Sequence, residues 1–159
     1  MHQIKINYDD KPSVRALEDQ LILEAEAILY RRFAGGAPLS SPDDVRSYLR
    51  LKLGKHEQEM FGVILLDPRN RVLGFEELFR GTIDSAAVYP REVAKRALQI
   101  NAAAIIVAHN HPSGDAEPSK ADGALTTRLR DALALLDIRL LDRFVCGREV
   151  ISFAERGLL

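Results

Sequence analysis

The sequence predicts an α+β protein in which helices flank a mixed β-sheet. Two observations predict this class. The first 55 residues have helical periodicity, and the remainder gives the order strand–strand–helix–strand–helix–strand–strand. With 159 residues and 47% hydrophobic content, the chain is long enough for one domain with a sizeable core and a small appendage.

The start of the chain predicts two helices that form an N-terminal helical extension, residues 1–55, ahead of a domain over 56–159. Apolar residues recur at helical spacing from about residue 13 to 33, which predicts an amphipathic helix. The Gly-Gly-Ala-Pro segment at 35–38 ends this helix, because glycine and proline both disfavour helix interiors.

The second helix has a recognisable beginning. Ser41 is the expected cap, Pro42 suits the first helical position, and Asp44 stands at the capping-box offset. We expect this helix to run to about Leu53 and to stop near Gly54.

The pattern changes to strands after residue 56. Met60–Leu66 is a continuous apolar run, as expected for a strand buried on both faces. A turn at 67–70 leads into a second strand over 71–79, which we expect to be antiparallel to the first. The remaining elements alternate along the chain: a helix over 90–100, a strand over 103–108, a helix over 119–136, and closing strands over 138–145 and 150–153.

Composition disfavours several classes of protein. The chain has 22 basic and 23 acidic residues, so it lacks the basic surplus typical of proteins that bind nucleic acid through phosphates. Cys146 is the only cysteine, which excludes an internal disulfide and a cysteine-based zinc site and indicates a reducing compartment. The first ten residues lack the apolar core of a signal peptide, and no stretch approaches the roughly 20 apolar residues of a membrane span. We therefore expect a cytoplasmic protein with no membrane partner.

Two histidines mark the most informative segment. His109 and His111 follow an apolar run that we expect to be a strand, and residues two apart on a strand project from the same face. Both imidazoles can therefore point at one metal ion, while Asn110 points away. Catalytic zinc sites commonly combine three such protein ligands, nitrogen or carboxylate oxygen, with a water molecule.

The third ligand should be a carboxylate on a rigid element. Asp122 fits, because it lies one turn into the helix that begins at Pro118-Ser119. Ser119 and Asp122 are three residues apart and therefore neighbours on the helix surface. The same spacing also predicts a capping box, and the two roles are compatible because a carboxylate has two oxygens.

At this point the sequence resembles a known family. Segments 108–115 and 117–122 resemble the JAMM motif of MPN (JAB) metalloproteases and, more closely, the RadC family, bacterial JAB-domain proteins historically called DNA repair proteins. The resemblance covers about residues 57 to 157, and further matching stretches lie at 59–67, 81–83, 89–93, 140–142 and 152–157.

The resemblance implies an MPN/JAB-like fold, layered as in cytidine deaminases, with one Zn²⁺ ion and a hydrolase-type site. The zinc histidines of the family correspond to His109 and His111, its zinc aspartate to Asp122 and its motif serine to Ser119. The sequence departs from the family at Arg143, where many relatives have histidine after Leu-Asp. Any role that depends on that histidine is changed or lost here.

JAMM proteins also use a glutamate near the start of an early strand as general base. Glu57 and Glu59 are the candidates, and we prefer Glu59 because it directly precedes the apolar run at the edge of the sheet core. Glu76 and Glu77 fit less well, because they fall inside the second strand.

These assignments predict a zinc metallopeptidase or isopeptidase that cleaves an amide bond. Zinc would lower the pKa of a bound water toward about 7. Glu59 would take the proton and pass it to the leaving amine, while the ion and Ser119 stabilise the oxyanion. The expected substrate is a peptide or protein conjugate.

Two other classes remain open. A catalytically silent MPN scaffold, or a DNA-associated RadC-like protein, could bind a replication or repair partner without cleaving anything. The DNA interpretation is weakened because the 55 leading residues lack a clear glycine hairpin of the type in longer relatives. A metal-dependent nuclease is disfavoured by the near-neutral charge and the absence of tryptophan.

The helical extension is a candidate homodimer surface, and Cys146 is expected to be a half-buried structural thiol.

Overall fold

The computed structural model describes residues 13–34, 38–39, 41–81 and 88–159. Within them the predicted α+β class is confirmed, with helices packed on a mixed sheet of five strands. The helices are α1 (Val14–Ala34), α2 (Pro42–Leu53), α3 (Pro90–Gln99) and α4 (Lys120–Ala134). The strands are β1 (Met60–Leu66), β2 (Val72–Arg80), β3 (Ala104–Asn110), β4 (Arg139–Cys146) and β5 (Val150–Ser152).

The strands lie in the order β2-β1-β3-β4-β5. Strand β1 is antiparallel to β2 and to β3, β3 is parallel to β4, and β4 is antiparallel to β5. Every residue of β1 and β3 is buried, as the continuous apolar runs predicted for the centre of a covered sheet.

Strand β3 divides its side chains between two cores, because successive residues face opposite sides of a sheet. Ala104, Ile106 and Ala108 belong to the core that contains the buried residues of α2. Ile105 and Val107 belong to the core formed with α3 and α4. The same alternation places the side chain of His109, two residues after Val107, on the face of the sheet that packs against α4.

Helix α2 begins as predicted. The Ser41 hydroxyl accepts a hydrogen bond from the Asp44 backbone N–H at 3.2 Å, Pro42 is the first helical residue, and the Gly54 N–H bonds the Arg50 carbonyl at 3.0 Å. Because the buried side of α2 packs directly on the sheet, the division of the chain at residue 55 stays a prediction.

Helix α1 is confirmed, but its expected amphipathic character is not. Val14, Leu17 and Leu21 are exposed by 74%, 47% and 64%, so the predicted apolar side is not buried. Ile22 and Leu23 are also exposed, because apolar residues lie on more than one side of the helix and no single stripe exists to pack.

The predicted glycine break at 35–38 and the family-like stretch at 81–83 fall mostly outside the described residues. In the part of the chain that the structure describes, no helix combines the length and the apolar character needed to cross a membrane.

Candidate metal centre

The two histidines lie at the carboxyl end of β3 and face each other. His109 is fully buried, His111 is partly buried, and their Nε2 atoms are 2.9 Å apart. Asn110 points elsewhere, as its position predicted. Its amide oxygen accepts from the Met60 backbone N–H at 2.7 Å, and its amide nitrogen donates to the carbonyls of His56 and Gln58. Asn110 therefore ties the segment before β1 to the end of β3.

Asp122 reaches the histidines from the first turn of α4. The predicted capping box is confirmed, with the Ser119 hydroxyl accepting from the Asp122 N–H and the Asp122 carboxylate accepting from the Ser119 N–H. All of the capping falls on Oδ2, which also accepts the Ser119 hydroxyl proton at 2.7 Å. The other oxygen, Oδ1, lies 3.4 Å from His109 Nε2.

These three side chains form a cluster that can hold a metal ion. Among the described residues, His109, His111 and Asp122 offer one ligand atom each, all within 4.8 Å of one another. Two imidazole nitrogens and one carboxylate oxygen form a donor set that zinc accepts in catalytic sites. The residues present therefore fit a divalent metal ion, although the identity of the metal stays a prediction.

The orientation of His111 favours this use. Its Nδ1 lies 2.5 Å from the carbonyl oxygen of Asp115. A carbonyl can only accept, so Nδ1 carries the proton and Nε2 has a free lone pair that faces the centre of the cluster. Metal-binding histidines are commonly oriented by a carbonyl in this way.

A buried arginine completes the site. Arg143 is fully buried on β4, and its Nη2 donates to Asp122 Oδ1 at 2.6 Å. Its Nη1 donates to the Asp122 carbonyl at 3.0 Å and to the Thr126 hydroxyl at 3.2 Å. The guanidinium carbon also lies 5.9 Å from the ring centroid of Phe61 and 5.5 Å from that of Phe153.

Burial and charge set the protonation states here. Burial, together with the positive charge of Arg143, lowers the pKa of His109 to about 3, so this imidazole is neutral near pH 7. Burial also lowers the pKa of Arg143 to about 10, against the opposing influence of Asp122. For Asp122, burial favours the neutral acid, but His109, the Ser119 hydrogen bonds and Arg143 outweigh it and lower the pKa.

The candidate general bases occupy different surroundings. Glu59 is partly buried immediately before β1, and its carbonyl accepts from the Gly81 N–H at 3.0 Å. Glu57 is exposed and lines a cavity of about 590 Å³ beside His111. The two less favoured glutamates are engaged elsewhere: Glu76 with Arg96, and Glu77 with His56 at 2.7 Å.

A family model described as "RadC-like JAB domain" matches residues 39–158. The chain belongs to this family. Curated relatives that the chain is similar to are called UPF0758 proteins. One from Vibrio cholerae is 54% identical over 147 residues, which cover 92% of this chain and 93% of that protein. Another, from Thioalkalivibrio sulfidiphilus, is 56% identical over 92% of this chain and 66% of its own length. A third, from Halorhodospira halophila, is 58% identical over 86% of this chain and 64% of its own length.

The match to the RadC-like JAB domain thus covers all five strands and the helices α3 and α4. It starts ahead of α2. Several relatives are longer than this chain, which covers about two thirds of their length. These names assign no substrate or reaction.

Sequence reasoning missed how Arg143 is used in this RadC-like JAB domain. It treated this residue only as a departure from the family. A local signal existed, because Asp142 and Arg143 interrupt the apolar residues that follow Arg139 in this strand, and buried charges are seldom unpaired. The structure shows that Asp142 accepts from the Ser152 hydroxyl at 2.6 Å and the Ala154 N–H at 2.9 Å. Asp142 therefore holds the end of β5 and the residues that follow it, while Arg143 contacts the candidate metal ligands.

Proposed function

We propose that this protein is a metal-dependent hydrolase of the JAMM type that cleaves an amide bond in a peptide or a protein conjugate. One observation carries the proposal: two imidazoles from the end of a strand and a carboxylate from the first turn of a helix meet within 4.8 Å. These groups, His109, His111 and Asp122, would hold one Zn²⁺ ion. The family supports a hydrolase-type site without naming a reaction.

When bound, the ion supplies Lewis-acid chemistry, activating water and polarising the amide carbonyl. The protein positions its ligands for that task. His111 is held by the Asp115 carbonyl, and Asp122 is held by Ser119 through the oxygen that points away from the histidines. Such outer contacts fix the direction of each ligand and so the geometry of the site.

We propose Glu59 as the general base, which accepts a proton from water and returns it to the leaving amine. The sheet register supports this choice. Phe61 lies opposite His109 in the antiparallel pair of β1 and β3. Continued by two residues, this register brings Glu59 level with His111 on the face that carries both imidazoles. Glu57, which lines the cavity beside His111, remains the competing candidate.

The hydrogen bonds of Ser119 support a positioning role rather than the oxyanion stabilisation expected from the sequence. Its hydroxyl donates to Asp122 Oδ2 at 2.7 Å and accepts from the Asp122 N–H at 3.1 Å. In this arrangement Ser119 positions a metal ligand. Donation to an oxyanion requires the hydroxyl to rotate away from Asp122, and it stays a prediction.

Hydrolysis assays on the purified full chain test the proposal. Peptides and isopeptide-linked conjugates are incubated with zinc, and with zinc plus a chelator. We expect cleavage that the chelator removes, and that falls by at least about 100-fold in Glu59→Gln, because general-base catalysis contributes about 10²–10⁴-fold. Glu57→Gln serves as the matched variant and should retain activity. Full activity in Glu59→Gln with loss in Glu57→Gln moves the base to Glu57, and chelator-insensitive cleavage contradicts a metal-dependent site.

The second candidate function is a catalytically silent MPN scaffold that binds a replication or repair partner. The Arg143–Asp122 ion pair favours it, because the guanidinium neutralises the buried carboxylate without any metal. A protein that neither binds zinc nor cleaves any of these substrates, yet remains folded, supports the scaffold.

We also propose that the protein works in the cytoplasm, which the single reduced cysteine supports. Homodimerisation through α1 stays a prediction supported by its exposed apolar side chains. Light scattering on the full chain tests it.

A further inference from the structure

Arg143 contacts two of the three candidate metal ligands at once. Its Nη2 is 2.6 Å from Asp122 Oδ1, the oxygen that faces His109, and 3.3 Å from His109 Nδ1. A guanidinium has hydrogen-bond donors and no acceptor. Both contacts therefore use Arg143 as the donor, and His109 Nδ1 must be the acceptor.

This contact decides which nitrogen of His109 carries a proton. Neutral imidazole has one N–H, so an accepting Nδ1 leaves the proton on Nε2. The Nε2–H then points at His111 Nε2, 2.9 Å away, which has a free lone pair because its own Nδ1 donates to Asp115. Arg143, His109, His111 and the Asp115 carbonyl thus form one continuous chain of donor–acceptor contacts.

Metal binding requires the opposite arrangement at His109. A metal ion needs the lone pair of Nε2, and the proton then belongs on Nδ1, where ligating histidines usually donate to a carbonyl or carboxylate. At that position His109 meets a donor instead. Asp122 Oδ1 is similarly occupied by the ion pair.

We propose that Arg143 is a built-in competitor for the metal, which stabilises the metal-free site and lowers the affinity of His109 and Asp122 for a divalent cation. For His109 to offer its Nε2 lone pair to a metal ion, the ring proton would have to move from Nε2 to Nδ1, and the guanidinium would have to withdraw from both ligands. The buried Arg143 Nε has no hydrogen-bond partner among the described residues, so the guanidinium is held only by its two terminal nitrogens. This inference rests on the proposed metal site and assigns its affinity to a single residue.

Zinc affinities of two variants test the competition. The dissociation constant is measured on the full chain by competition with a chromophoric chelator, for wild type, Arg143→Gln and Arg143→Lys. We expect Arg143→Gln to bind zinc at least about tenfold more tightly, the lower end of measured outer-contact effects. Arg143→Lys keeps the charge and the donor and should stay within about threefold of wild type. Unchanged or weaker binding by a folded Arg143→Gln overturns the proposal, as does a failure of every protein to bind zinc.

A second measurement needs no arginine variant. Long-range ¹H–¹⁵N spectra of the metal-free wild type report which imidazole nitrogen is protonated. We expect the proton on Nε2 of His109 and on Nδ1 of His111, with single-histidine variants used for assignment. A proton on Nδ1 of His109 contradicts the proposal even if both arginine variants fail to fold.

These outcomes separate the proposal from the proposed function. Tighter zinc binding by Arg143→Gln without cleavage of any substrate removes the hydrolase and leaves the competition intact. Chelator-sensitive cleavage with equal zinc affinity in wild type and Arg143→Gln does the reverse.

Discussion

At the scale of single residues, the candidate metal ligands divide their polar atoms between different contacts. Asp122 uses its Oδ2 for the start of α4, and its Oδ1 faces Arg143 in the ion pair and His109. His111 divides its ring nitrogens in the same way, between the Asp115 carbonyl and His109. Removing any one of these groups leaves its partner without a hydrogen bond. This destabilises the folded state, because water does not reach the buried partner to replace the lost contact.

The ion pair of Asp122 predicts a large loss of stability on neutralisation. In Asp122→Asn, measured with chelator present, Arg143 becomes a buried charge without a counter-charge. We expect the free energy of unfolding in urea to fall by about 3–5 kcal/mol. Asp131→Asn is the matched control, because that side chain is 67% exposed and should change stability by less than about 0.5 kcal/mol. A loss below about 1 kcal/mol contradicts the assigned ion pair.

Cys146 permits a separate test at this scale. The thiol is more deeply buried than the sequence suggested, and burial raises its pKa to about 12 from 9.0. We expect almost no reaction with a thiol reagent at pH 8 in the native protein and complete reaction in denaturant, since the thiolate is the reactive form. Rapid native labelling contradicts the burial.

The same shift gives a pH dependence with a defined sign. Because the folded pKa of Cys146 lies above the unfolded one, the folded state binds more protons between pH 9 and 12, and stability falls as pH rises through that window. Relative to Cys146→Ala, wild type should lose up to about 1.4 kcal/mol per pH unit there. A constant difference between the two proteins would exclude the shift.

At the scale of elements, the β4–β5 turn packs directly on the loop that follows His111. The Arg148 N–H bonds the Gly114 carbonyl at 2.9 Å. A Cβ on Gly147 would come within 2.5 Å of that carbonyl oxygen, so the two backbones approach more closely than any other residue allows. This packing fixes the loop whose Asp115 carbonyl orients His111.

Gly147→Ala therefore should disturb both stability and the metal site. We expect a loss of about 1–3 kcal/mol from overpacking, together with weaker zinc binding because the Asp115 carbonyl moves. Gly123→Ala in α4 is the matched control. A Cβ there meets nothing within 4 Å, and alanine should stabilise the helix by about 0.5–1 kcal/mol. Equal effects of the two substitutions contradict the close approach.

At the scale of the whole molecule, the end of β3, the start of α4 and the middle of β4 meet at one site. The contributions of the carboxyl end of β3 and of the beginning of α4 were predictable from the sequence. Strand alternation places the side chains of residues 109 and 111 on one face, and Ser119 indicates where a helix begins. The part played by Arg143 was not, since it depends on β4 lying parallel beside β3 and under α4. Local sequence patterns do not specify which strands become neighbours. They also did not predict that the apolar residues of α1 are exposed.

Metal binding should be visible in the stability of the whole chain. At a zinc concentration of 100 times the dissociation constant, the free energy of unfolding should rise by about 2.7 kcal/mol, because only the folded state assembles the three ligands. Thermal melting with zinc and with chelator measures this shift. His111→Ala should lose it, whereas His56→Ala, which removes a histidine paired with Glu77, should keep it. An undiminished shift in His111→Ala excludes the proposed centre.

The divided carboxylate of Asp122 limits how the centre can be redesigned. Exchanging it for a third imidazole, as in a three-histidine zinc enzyme, would also remove the acceptor for the Ser119 N–H and so one half of the capping box at the start of α4. It would also leave the Arg143 guanidinium without its counter-charge. Any such conversion must rebuild a helix terminus and remove a buried cation at the same time, so the ligand set of the candidate centre is coupled to the stability of the fold.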